Sequence, residues 1–285
     1  MINVLTAWKA VQSEATVTGD EVLGESECKG SAWKAVRLWQ CIKSRSFGVV
    51  PSRHLAHNSI NAYIILLYTL ALALPAYGQT KQKSATERGI ERQGFVDIKA
   101  IDPSIRVSLM YTRADNFTGQ VLYTDLHTAY LHPAAAAALK KAQAELKRLR
   151  PDLSLCVCDA ARPMSVQQKM YDVVRGTSKA IYVSNPKNGG GLHNYGLAVD
   201  VTLCNAATGD TLHMGTKVDF LGELAHVKGE AEFVKKKHIS QEALQNRQLL
   251  RKAMAAGGYK VLNTEWWHFN FKSRAEAKAN YKVIK

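Results

Sequence analysis

The 285-residue sequence predicts an α+β fold, a single domain in which a mainly antiparallel sheet is flanked by helices. Three observations lead there. Stretches with helical composition and helix-end signals, such as Pro133 to Arg150 and Ser240 to Ala256, are separated by short apolar runs of strand length. Those runs do not alternate strictly with the helices. From Phe95 onward the composition stays globular without a second break, so 95–285 reads as one domain.

Taken in order, residues 1–60 carry scattered tryptophans (Trp8, Trp33, Trp39) and no sustained periodicity, which predicts an extension or a mis-assigned start and no folded domain. Residues 61–78 contain "AYIILLYTLALALPAYG", an uncharged run preceded by Arg53 and closed by the small-x-small pattern Ala76-Tyr77-Gly78. That is the layout of a secretory signal peptide. The competing reading, a membrane anchor, needs ~20 apolar residues, and Pro75 interrupts the run near its end. Cleavage after Gly78 predicts a periplasmic or extracytoplasmic protein with no stable membrane anchor. Residues 79–94 ("QTKQKSATERGIERQG") are polar and read as a linker.

Within the domain, proline in the first turn, an alanine-rich interior and basic residues at the end make Pro133 to Arg150 a helix that Pro151 stops. "LSLCVCDA" reads as a strand, Ser165 to Gly176 as a helix with Ser165 as its N-cap, and "GLAVDVTL" as a second strand. The helix from Ser240 is capped by Gly257-Gly258, and strands "YKVL" and "WWHFNF" follow. Beyond the signal, Cys156, Cys158 and Cys204 read as buried small hydrophobes and not as a disulfide framework. The net charge of +14 comes from dispersed lysines and arginines without a nucleic-acid motif, so a solvated basic surface is expected and no nucleic-acid partner. The sequence specifies no oligomeric state.

The chemistry concentrates in "GGGLHNYGLAVDVTL" and "TEWWHFNF". His193, Asp200 and His268 form a ligand set suited to catalytic zinc with one position left open, and Glu265 is a free carboxylate that could take a proton from water. Strand geometry objects: residues an odd number apart face opposite sides, which separates His193 from Asp200 and Glu265 from His268. Glycines 189–191 and 196 are expected to turn the chain so that His193 comes from a loop. Glu265 is expected on a turn ahead of the strand.

These stretches, together with "GFVDIKAIDPSIRVSLMYTRADNFTG", "DAARP", "MGTKVDF" and "NRQLLRKAMAAGGY", resemble the VanX-type D-alanyl-D-alanine dipeptidases of the zinc D,D-peptidase superfamily. The resemblance implies one Zn2+ per chain held by His193, Asp200 and His268, in a cleft on the sheet, with Glu265 as catalytic base and Arg162 stabilising the anionic intermediate. It implies that Tyr111 helps form the pocket for the amino end of a small D,D-dipeptide. Asp159 is expected to orient Arg162, and Asp219 to fix the tautomer of a ligand histidine. Two departures stand out. Gly191 occupies a substrate-binding position where serine is usual, and "DAARP" lacks an aromatic found beside the arginine in some relatives. The reading is hydrolysis of free D-Ala-D-Ala; a D,D-carboxypeptidase acting on wall stem peptides and a non-catalytic zinc-stabilised binding module are the alternatives.

Overall fold

The computed structural model describes residues 82–285. The expected extension (1–60) and signal peptide (61–78) lie outside the described residues. Among the described residues no helix is long and apolar enough to cross a membrane.

The first element corrects the sequence reading of 79–94 as a linker. Ala85–Arg92 is a helix, α1, started by a reciprocal capping box: Glu87 N donates to Ser84 Oγ and Ser84 N to Glu87 Oε2, both at 3.0 Å. Its polarity is misleading, because Ile90 is buried in the core and the other Glu87 oxygen accepts from the backbone N–H groups of His127 and Thr128. Strand β1 (Val96–Asp97), helix α2 (Ile98–Ile101), β2 (Arg106–Val107) and β3 (Tyr130–Leu131) follow. The chain then forms α3 (Pro133–Leu149), β4 (Leu153–Asp159), α4 (Met164–Val174) and β5 (Ala198–Asn205). It closes with α5 (Glu230–Lys235), α6 (Gln241–Ala256), β6 (Lys260–Leu262), β7 (Glu265–Asn270) and α7 (Arg274–Asn280).

Helix α3 begins with Pro133 behind His132 and lays Ala135, Leu139, Ala142 and Leu146 into the core. Its buried Gln143 donates to Ser154 Oγ and accepts from Leu155 N, which ties the helix to β4. Helix α6 has the expected cap, Ala243 N donating to Ser240 Oγ at 3.0 Å. Helix α4 starts earlier than expected. Pro163 is its N-cap and Ser165 lies inside it, because the Pro163 carbonyl already accepts from Val166 and Gln167.

The main sheet has five strands in the order β2-β4-β5-β7-β6; β1 and β3 form a separate antiparallel pair. It is mixed where the sequence predicts a mainly antiparallel sheet: the edge strand β2 runs parallel to β4, and the other pairings are antiparallel. A two-residue strand has no periodicity to read, so its direction was invisible in the sequence. Strands β4 and β5 are buried along almost their whole length, which places them at the centre of a layer covered on both sides.

His193 lies on a turn outside the sheet, so strand parity with Asp200 does not apply to it; two irregularities within the sheet align the remaining residues. Between β4 and β5 the register shifts, so that Val157 pairs with Val201 and Asp159 with Asp200. Between β6 and β7 it shifts again, from Val261–Phe269 to Leu262–Glu265. Bulges re-aim side chains that a regular pleat would send to opposite faces. Asp159, Asp200 and His268 consequently become direct neighbours in one row across three adjacent strands. Glu265 corrects its expectation: the turn occupies 263–264, and Glu265 follows it as the first residue of β7.

Candidate active site and metal centre

His193 is carried by a 3-10 turn, Leu192–Tyr195, between Gly191 and Gly196. Gly196 ends it at φ +62°, and a Cβ there would come within 2.5 Å of the Phe95 ring, so this position needs glycine twice over. The turn is stitched to the "DAARP" segment: Arg162 N donates to His193 O at 3.0 Å and Asn194 Nδ2 to Arg162 O at 2.9 Å. Ala161 N donates to Tyr130 O, anchoring the same segment to β3. These bonds bring His193 and Arg162, far apart in sequence, to one place.

His193 Nε2, His268 Nδ1 and Asp200 Oδ1 converge, at 3.1 Å between the two nitrogens, 3.0 Å from His268 to Asp200 and 3.3 Å from His193 to Asp200. His193 Nδ1 lies 2.8 Å from the Ala160 carbonyl, which can only accept, so that nitrogen carries the proton. His268 Nε2 donates to Asn270 Oδ1 at 2.8 Å. With both outer nitrogens protonated, the neutral rings point two lone pairs and a carboxylate at one spot. Three acceptors with no hydrogen between them repel, and a divalent cation resolves the repulsion; this donor set fits one. His193 and Asp200 are 3% and 4% exposed, dry enough to make that charge balance matter. Burial works against ionising Asp200, but positive charge at this spot, here that of a protonated His193 or His268 in place of a cation, holds its carboxyl well below the usual carboxylate range.

Arg162 stands over this centre, 7% exposed. Its Nε and Nη2 donate to Asp159 Oδ2 and its Nη1 to Gln167 Oε1 at 2.9 Å. Of the five N–H donors of a guanidinium, that leaves two for the cavity. Asp159 thus pairs with Arg162, and is itself held by Tyr123 Oη at 2.6 Å. Burial disfavours the guanidinium charge, but Asp159 and the surrounding groups overcome it and raise the Arg162 pKa well above its ordinary value. Glu265 has no hydrogen bond to a cation; its Oε2 is 3.8 Å from His268 Nδ1. Burial, reinforced by the Asp200 and Asp219 carboxylates and opposed by His268 and Arg162, pushes Glu265 up to about 7. It can therefore take up and release a proton near neutrality.

Asp219 differs from its expectation. It contacts neither ligand histidine by hydrogen bond; Tyr111 Oη and Phe117 N donate to it, each at 3.0 Å. Asp219 also adopts φ +71°, a backbone state uncommon outside glycine, kept here by those two bonds. Burial raises it to about 7. Tyr111, Arg162, Asp219, Glu265 and the three converging ligands all line one cavity of about 560 Å³. Gly191 also lines it, without a side chain to contribute. The sequence reading missed Gln167, Asn194 and Ser184. Gln167 and Asn194 fall within recognised segments as ordinary polar residues, and Ser184 belongs to a loop with no pattern at all.

Converging acceptors that require a cation, beside a carboxylate and an arginine that keep free chemistry, are what amide hydrolysis at a metal ion needs: the molecule is a metallopeptidase. The comparisons with known proteins reach the same class independently. Residues 91–285 match the peptidase M15 family, described as D-ala-D-ala dipeptidase, and the chain belongs to that family. It is 31% identical over 181 residues to a D-alanyl-D-alanine dipeptidase of Escherichia coli, covering 64% of this chain and 86% of that protein. Proteins of the same name from Enterococcus faecalis and Streptomyces coelicolor are each 27% identical, covering 62% of this chain and 90% and 91% of theirs.

Proposed function

We propose that the protein hydrolyses free D-Ala-D-Ala to two molecules of D-alanine, with Zn2+ bound by His193, Asp200 and His268. The observation that carries this reading is the convergence of those three donors in a cavity that also holds Glu265, Arg162 and Asp219. When bound, the ion supplies Lewis acidity, polarising the scissile carbonyl and acidifying water.

The chain's own residues do the rest. Glu265 takes a proton from the attacking water and returns it to the leaving amine as the C–N bond breaks, a role that suits a carboxyl held near 7. Arg162, fixed by Asp159 and Gln167, offers its two free N–H groups to the oxygen that gains negative charge. Asp219 and Tyr111 receive the substrate's ammonium group: a half-buried carboxylate without a cation partner favours a free amino end. An acylated stem peptide has no charge to offer there. This argument favours the dipeptide over a carboxypeptidase substrate.

The test is release of D-alanine from D-Ala-D-Ala and from a stem pentapeptide, with and without chelator. Faster release from the dipeptide, lost on chelation and restored by zinc, is expected. Equal or inverted rates would refute the dipeptide preference. We further propose that 61–78 is a signal peptide and that the enzyme acts outside the cytoplasm on wall-derived dipeptide; N-terminal sequencing of the natural product should begin near Gln79.

A further inference from the structure

We propose that Ser184 receives the carboxylate end of the dipeptide, its hydroxyl standing in the space that Gly191 leaves open. The inference rests on the dipeptidase reading and deepens it by assigning a substrate-gripping group. Ser184 lies in the segment between α4 and the His193 turn, is half-buried, and lines the same cavity as Arg162 and Glu265. Among the described residues its Oγ has no hydrogen-bond partner, although its carbonyl does.

That carbonyl accepts from Gln167 Nε2 at 2.8 Å, and Gln167 Oε1 accepts from Arg162 Nη1 at 2.9 Å. One side chain thus sets the positions of both the arginine and the serine. On its other side Arg162 lies over the Tyr111 ring, 5.4 Å from the centroid, and Tyr111 donates to Asp219. Arg162 therefore stands between an acidic group of residues, Asp219 with Tyr111, and a hydroxyl group of residues, Gln167 with Ser184. A dipeptide has its scissile carbonyl between an ammonium and a carboxylate. With the ammonium at Asp219 and the carbonyl at Arg162, the carboxylate falls to Ser184.

Gly191 is the complementary half. Its φ of −104° suits any residue, so its backbone does not call for glycine. A Cβ at 191 would instead stand 2.9 Å from Ser184 Oγ and 3.3 Å from Ser184 Cβ. The two positions share room for one side chain. Two cations on the cavity wall are engaged: Lys272 pairs with Glu276 at 2.7 Å, and Arg274 Nη2 donates to the Gly190 carbonyl at 2.8 Å. Lys260, exposed on the cavity wall, is a competing cation, and Asn270, whose Oδ1 alone is engaged, offers a competing neutral donor.

The zinc-loaded full chain is assayed on D-Ala-D-Ala and on its C-terminal amide. Ser184→Ala should raise KM for the dipeptide about tenfold with kcat nearly unchanged, the size of one lost hydrogen bond to a charged group. It should leave kcat/KM for the amide within about twofold, since that substrate brings no carboxylate. Combining Gly191→Ser with Ser184→Ala in a double variant should restore the dipeptide KM, because the hydroxyl returns from the neighbouring position. An unchanged KM in Ser184→Ala, an equal loss on both substrates, or a KM effect confined to the carboxylate substrate that appears in Lys260→Ala instead would overturn the assignment. Failure of the unsubstituted protein to cleave the dipeptide would overturn the dipeptidase reading itself, before any variant is made.

Discussion

Arg162 and Arg247 are the two buried arginines among the described residues, and each lies over an aromatic ring beside a buried carboxylate. Arg247 belongs to the side of β7 that Trp266 faces. It donates to the Met214 and Leu224 carbonyls at 2.7 and 3.0 Å and to Glu230 at 3.3 Å. Arg251 adds a second cation to Glu230 at 2.7 Å. Positive charge is in excess there, and burial together with Arg251 lowers the Arg247 pKa, with Glu230 opposing. Around Arg162 the excess is negative: Asp159 and Asp200 lie within 4 Å, with Glu265 and Asp219 on the same cavity wall. One network is complete within the fold. The other is short of positive charge by about what a divalent ion and a substrate ammonium would bring.

Metal should act on one of these networks alone: saturating Zn2+ should stabilise chelator-treated protein by about 4 kcal/mol at a thousandfold excess over Kd, read as a rise in Tm. The rise should shrink at pH 5, where the histidines and carboxylates take up protons. An equal Tm with and without zinc would refute the charge argument. Glu265→Gln removes the proton carrier and not the ligands, so kcat should fall by roughly 10²–10⁴ while bound zinc stays stoichiometric. Retained activity would remove Glu265 from the chemistry.

Substituting the two arginines separately gives the next effect. Arg247→Met should cost about 3 kcal/mol in denaturant unfolding, by leaving Glu230 to Arg251 alone, with kcat per folded molecule preserved. Arg162→Lys should lower kcat about a hundredfold. Its unfolding midpoint should stay close to the unsubstituted protein's. The reverse pattern would mean that the structural and chemical networks have been misassigned.

The smallest effect concerns Asp219. Its folded pKa of about 7 exceeds the ordinary aspartate value, so the folded state holds the proton more tightly than the unfolded chain. The resulting stabilisation is fully present below about pH 4 and is lost as pH rises towards 7. In metal-free protein, Asp219→Asn should flatten the decline of Tm across that window. An unchanged slope would place the titration elsewhere.

Much of the centre was legible because ligand chemistry needs particular side chains. His193, Asp200, His268, Glu265 and Arg162 meet where the sequence placed them. The glycine-flanked turn that delivers His193 was legible too, but the two register shifts in the sheet were not: they arise from pairing between distant segments, which no local pattern encodes. Helix α1 was readable in principle, since Ser84 and Glu87 are a capping signature, but its polar composition concealed that Ile90 and a Glu87 carboxylate are anchored by the core. Asp219 was placed in the right cavity with the wrong partner, because a loop carboxylate gives no sign of which donor will reach it.

The row of Asp159, Asp200 and His268 across β4, β5 and β7 has a consequence for how the centre can come apart. Strands β5 and β7 each have a neighbour on both sides, so Asp200 and His268 cannot separate by fraying of an edge. Amide exchange at Asp200 and Val201 should then require opening of the whole sheet, and ion loss should leave the ligand cage standing. A cage so stiff suits small ions content with few ligands, and it discriminates against calcium, which needs a looser ring of six to eight oxygens.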